Sequence, residues 1–163
     1  MIDVFETNGE KTIMRTSFDG EAAKQLGIIR QLSSTTFSED FRRAVGIYRY
    51  MLQLETEGST LRAFADDGMA EIVPTRVESR GDDVTDESTE RPLSVAVNVN
   101  NETAAALKAF AETEDKPMQE VLDAVVIQYS DLLQRWLMGE QFIIESKAGK
   151  FSELLLGLKP DLS

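Results

Sequence analysis

The chain has no cysteine and no histidine, one tryptophan and four prolines. Without thiolates and imidazoles, zinc sites built on those ligands are excluded, as are Ser-His and Cys-His nucleophile pairs. No disulfide framework forms, which fits a reducing cytoplasm. No apolar run reaches the roughly 18 to 20 residues that a membrane span needs. The opening MIDVFETNGEK lacks both a basic leader and an apolar signal core, so neither secretion nor a membrane partner is expected. Acids are plentiful, yet no spacing converges two of them on one site. No enzyme activity, metal or cofactor is expected.

Positive charge is also scarce, with 17 Lys and Arg against 29 Asp and Glu and a net charge of −12. Such a balance opposes non-specific affinity for nucleic acid, because a polyanion repels a polyanion. Any contact with DNA must use a local polar or basic patch. What remains is ordinary: 163 residues, 42% of them apolar and 28% charged, make one domain or two small ones with a real core.

One stretch, RPLSVAVNVNNE at residues 91–102, alternates Leu93, Val95, Val97 and Val99 with Ser94, Ala96, Asn98 and Asn100. A period of two marks a half-buried strand. Its polar face carries no charge and offers small hydrogen-bonding groups to whatever covers it.

The chain also repeats itself at an offset of 81. The apolar positions Phe37, Phe41, Ala44, Val45, Tyr48, Met51 and Leu52 recur at Met118, Leu122, Val125, Val126, Tyr129, Leu132 and Leu133. Both series trace the stripe of an amphipathic helix. Leu26 and Leu107, Gly58 and Gly139, and Gly68 and Gly149 keep the same register.

Each copy reads as a strand, a short helix, a longer helix and a tail with a Gly turn. Copy one predicts a strand at 11–18, a helix at 20–32 and a longer helix at 37–57. Copy two predicts a strand at 93–99 and helices at 102–114 and 117–138. Asp19 and Asn100 stand as N-caps, and Thr36 with Glu39 forms a capping-box pattern. Gly58 and Gly139 suit helix C-caps, and the DDG and KAG turns suggest a small hairpin in each tail. The second tail, FSELLLGL, also reads as a short helix. Residues 1–10 read as a flexible arm, 11–74 as the first unit, 75–91 as an acidic linker and 92–163 as the second unit.

The segments TIMRTSFDGEAAKQLGIIRQLSSTTFSEDFRRAVGIYRYML and LSVAVNVNNETAAALKAFAETEDKPMQEVLDAVVIQYSDLL carry a resemblance to the ribbon-helix-helix family of DNA-binding proteins. That resemblance implies a mainly α fold with short β: tandem ribbon-helix-helix units forming an intertwined pseudo-dimer, each ending in a hairpin-like tail. Pairing within one chain and pairing between two chains as a homo-oligomer both satisfy it.

In that family an antiparallel ribbon enters the major groove of double-stranded DNA and its outward side chains read base edges. The matching outward positions are Ile13, Arg15 and Ser17, with Lys11 at the edge, and Ser94, Ala96 and Asn98. Arg15 suits guanine O6 and N7, Asn98 an adenine edge, and Ala96 a thymine methyl. The family also seats phosphates on free N–H groups where the longer helix begins, which here means Thr36, Phe37 and Ser38. Copy two has Pro117 at that point, which has no N–H, so contact led by copy one is expected.

Two functions follow as expectations. The first is a sequence-specific DNA-binding protein, a repressor-like transcriptional regulator of the cytoplasm. The second is an acidic protein-protein interaction module, antitoxin-like, accessory or mimicking nucleic acid, that uses its acidic surface on a protein partner.

Overall fold

The computed structural model describes residues 5–8, 11–75 and 93–154. Copy one supplies β1 (Phe5–Asn8), β2 (Lys11–Phe18), α1 (Gly20–Leu32), α2 (Phe37–Glu57), β3 (Thr60–Phe64) and β4 (Ala70–Val73). Copy two supplies β5 (Leu93–Val99), α3 (Asn101–Glu114), α4 (Met118–Leu137), β6 (Gln141–Glu145) and β7 (Phe151–Leu154). The helices and the two principal strands stand within a residue of where periodicity and capping place them. Past Thr75 the expected linker lies outside the described residues, as does the chain beyond Leu154.

The fold class differs from expectation. The architecture is mixed α/β, not a mainly α chain of tandem ribbon-helix-helix units with short β. Its strands form one sheet in the order β1-β2-β5 and another in the order β4-β3-β6-β7. The physical reason is edge pairing. A lone two-stranded hairpin leaves a row of unsatisfied N–H and C=O groups and is marginal in water. The two tail hairpins therefore join through β3 and β6, and β1, inside the stretch read as an arm, pairs with β2.

Both sheets are centred on the repeat. In the antiparallel β2–β5 pair, Arg15 faces Ala96; in the β3–β6 pair, Arg62 faces Ile143. Each of these residues sits opposite its own equivalent at the offset of 81. A two-fold relation between the halves requires that pattern.

The long helices α2 and α4 connect the two sheets. Their first halves pack, with α1 and α3, on the inner face of β2 and β5, around Met14, Phe18, Val97 and Leu107. Their later turns place Met51, Leu54 and Leu132 on the inner face of the four-stranded sheet, against Leu61, Phe142 and Ile144.

The ends of the helices repeat as well. At α2, Gly58 at φ +75° closes the helix while the Ser59 N–H reaches the Leu54 carbonyl. At the close of α4, the Glu140 N–H reaches the Arg135 carbonyl and Gly139 takes φ +88°. Both are Schellman-type closures. The N-caps differ. Asn100 accepts from the Thr103 N–H at 2.7 Å, whereas Asp19, expected to cap α1, makes no side-chain cap bond and is followed by Gly20 at φ +57°.

Candidate nucleic-acid interface

Alternation decides which side chains leave the ribbon. Thr12, Met14 and Phe18 of β2 and Val97 and Val99 of β5 are buried against the helices. Arg15, Ser17, Ser94, Ala96 and Asn98 are exposed on the opposite face, and Ile13 there is half-buried. Directly opposed residues share a face, so Ile13–Asn98, Arg15–Ala96 and Ser17–Ser94 form three rows across the ribbon. The six side chains include one cation and no carboxylate. Lys11 stands in β2 opposite Asn8 of β1, and its side chain lies outside the described residues.

The ribbon is tied to the start of each long helix. The Ser38 hydroxyl of α2 accepts from the Asn98 N–H of β5 at 3.2 Å. On the other side, the Thr16 hydroxyl of β2 donates to Gln119 Oε1 of α4 at 2.9 Å. Each helix start thus braces the strand of the other copy.

Thr36 caps α2 by accepting from the Glu39 N–H at 3.2 Å. The Glu39 carboxylate does not return to close a capping box; it pairs with Arg42 and, at 3.9 Å, with Arg43. The hydrogen bond from Arg42 holds its carboxyl below the ordinary range. Asp40 is buried and accepts from the Ser33 and Thr35 hydroxyls at 2.7 Å each. The two acids at this helix start are therefore both engaged within the protein, and the N–H groups of Phe37 and Ser38 stand at its open end. The Phe37 ring itself packs against Phe41, with centroids 6.1 Å apart. At α4 the corresponding position is Pro117, with no side-chain cap bond.

A second feature escapes sequence reading because it needs two copies side by side. Between α2 and the start of α3 lies a cleft of about 200 Å³, lined by Arg42, Gly46 and Arg49 on one wall and Asn100, Glu102 and Thr103 on the other. From sequence alone Arg42, Arg43 and Arg49 are candidates to approach phosphates, with a solvated helix face as the more usual role of such residues.

Among the described residues no group of three or more acids is placed to hold a metal ion, and no helix is long and apolar enough to cross a membrane. Comparison with family models, with curated proteins and with solved structures returns no match for this chain.

Proposed function

We propose that the chain is a sequence-selective DNA-binding protein, a transcriptional regulator of the cytoplasm that lays the β2–β5 ribbon into the major groove of double-stranded DNA. One observation carries the reading: the outward face of the ribbon bears Arg15 at its centre, flanked by Ser17, Ser94, Ala96, Asn98 and Ile13, with no carboxylate among them. A groove about 12 Å wide admits a two-stranded ribbon, and these side chains match what its floor offers. Arg15 reads guanine, Asn98 an adenine edge, and Ile13 and Ala96 meet thymine methyls. Ser17 and Ser94 accept either base, and Lys11 serves the ribbon edge.

Thr36, Phe37 and Ser38 hold a backbone phosphate at the positive end of α2, where Glu39 and Asp40 are already engaged. The resemblance to ribbon-helix-helix proteins supports the same roles. With −12 overall, binding is modest and steeply salt-dependent.

The test is co-purification of the protein with fragmented DNA from its own source at low and moderate salt, followed by sequencing. Enrichment of a defined site that Arg15→Ala abolishes supports the reading; no enrichment at either salt from folded protein overturns it. A second reading, an acidic module for a protein partner, is favoured by the −12 charge and by Ile72 and Phe151, 58% and 67% exposed on the four-stranded sheet.

A further inference from the structure

We infer that the cleft between α2 and the start of α3 binds a phosphate group. Arg42, Gly46 and Arg49 share one stripe of α2, so both guanidinium groups border the same opening and the glycine between them leaves it unfilled. A Cβ built on Gly46 meets nothing within 4 Å. Arg42 already holds Glu39 with one nitrogen, and a guanidinium has further donors to give. Arg49 is exposed and has no ion pair among the described residues. Glu102 stands on the facing wall, so the lining carries two arginines and one glutamate, with Glu39 paired to Arg42 as a second acid beside it.

The other half of the molecule provides an internal control. At the offset of 81, Arg42, Gly46 and Arg49 become Asp123, Ile127 and Ser130, and Asn100 and Glu102 become Asp19 and Glu21. There the space is occupied and the charge reversed. The Ser130 hydroxyl donates to Gln25 Oε1 at 2.6 Å across the α1–α4 contact. Burial raises the Asp123 pKa, and the Asp19 carboxylate nearby raises it further. The two halves keep the same backbone plan, yet one has arginine, glycine and arginine where the other has aspartate, isoleucine and serine. Packing alone does not call for that exchange, because a branched side chain fills the site well in the other half.

Phosphate suits the site better than a simple halide, and it offers more oxygens than a carboxylate to two arginines at once. Guanidinium donors pair two at a time with its oxygens. The N–H groups that begin α3 lie on the opposite wall, where Asn100 caps only the Thr103 N–H. The group has two sources of the same chemistry, a free phosphate or the backbone of DNA. Arg42 lies one helical turn, about 6 Å along the axis, from Ser38 at the ribbon edge. A DNA strand leaving the ribbon would pass this opening. The cleft does not depend on the ribbon reading bases.

Amide NMR of the full chain separates the cases, titrating inorganic phosphate in one arm and a short duplex in the other, with wild type, Arg49→Gln and Gly46→Leu. Gly46→Leu fills the cleft without touching its charge, and Arg49→Gln removes charge without filling it. A single cooperative urea transition, with a midpoint no lower than that of the wild type, confirms that each variant folds. Saturable shifts at Gly46, Asn101 and Glu102 with phosphate, weakened at least tenfold in both variants, identify a free-phosphate site. Shifts at those amides with duplex alone, lost in both variants, identify the DNA backbone as the source. No shift at those amides in either arm, or shifts that both variants retain, overturns the inference. Arg15→Ala leaves the phosphate arm unchanged, so failure of the base-reading proposal is seen separately.

Discussion

The Tyr48 hydroxyl donates to both carboxylate oxygens of Glu114, at 2.9 and 3.2 Å, and so fastens the middle of α2 to the end of α3. Its ring also packs on Phe110, with centroids 5.2 Å apart. The repeat equivalent, Tyr129, is as deeply buried, but its hydroxyl makes no well-formed hydrogen bond among the described residues and has only the Arg43 guanidinium near it to favour its anion. Two tyrosines at the same place in the pattern therefore carry different energetics.

Tyr48→Phe removes a hydrogen bond to a carboxylate that is itself largely buried, and is expected to cost about 1 to 3 kcal/mol. Tyr129→Phe removes a hydroxyl that is already unsatisfied, and is expected to be neutral or slightly stabilising. Urea unfolding of the two variants gives the comparison directly. Equal losses would show that the Glu114 contact contributes nothing.

Burial, reinforced by the Asp40 carboxylate, pushes the Tyr129 hydroxyl up to about 12 from an ordinary 10.0. Between these values the unfolded chain releases the proton and the folded one retains it. Stability is therefore intact below pH 10 and falls as pH rises toward 12, by about 2 kcal/mol from this group. Urea midpoints taken from pH 9 to 12 should drop less steeply in Tyr129→Phe than in the wild type.

Gly58 and Gly46 predict opposite signs for the same substitution. Gly58 ends α2 at φ +75°, where an L side chain is strained and a Cβ would also meet Lys147 at 3.4 Å, so Gly58→Ala should lose about 1 kcal/mol. Gly46 lies inside the helix beside open space, and Gly46→Ala should gain about 0.5 to 1 kcal/mol. A higher thermal midpoint in Gly58→Ala would contradict the first assignment, and a lower one in Gly46→Ala the second.

The only tryptophan, Trp136, stacks on Phe142 at 6.4 Å and 6° between ring planes, inside the cluster beneath the four-stranded sheet. Because α2 and α4 contribute to both clusters, the two should melt together. Tryptophan fluorescence and far-ultraviolet dichroism are expected to give one coincident transition. Phe142→Ala should lower it by about 3 to 5 kcal/mol. Separate transitions would mean that the two sheets unfold independently.

Residues 1–10 contain Asp3, Glu6 and Glu10 and no basic residue, and part of this stretch pairs with β2 beside the ribbon. Under the DNA-binding proposal, deleting them should tighten binding to duplex several-fold at low salt, with the gain fading as salt screens it. Fluorescence anisotropy of a labelled duplex reads the effect. Unchanged affinity at every salt would place this stretch clear of the DNA.

Much was legible locally. The alternation from Leu93 to Val99 told apart the buried Val97 and the exposed Ala96 and Asn98, and the helical stripes named Tyr48, Met51 and Leu132 as core. Asp19 stands at the N-cap of α1, where the sequence places it, but its side chain makes no cap bond, and Gly20 follows at φ +57°. Arg42 and Arg49 were legible as possible phosphate contacts, but the cleft they border was not, since its second wall comes from residues more than fifty positions away.

By itself the sequence determined the period of each element, the glycines that close the long helices and the 81-residue repeat, because these depend on neighbours a few positions apart. Only the tertiary structure decided that β2 meets β5 with Arg15 opposite Ala96, that β3 joins β6, and that β1 adds a third strand. Those choices come from burying both halves' apolar faces at once while pairing both edges of β2, β3 and β6. No local pattern encodes such a balance, and it turned an expected mainly helical chain into a mixed α/β protein.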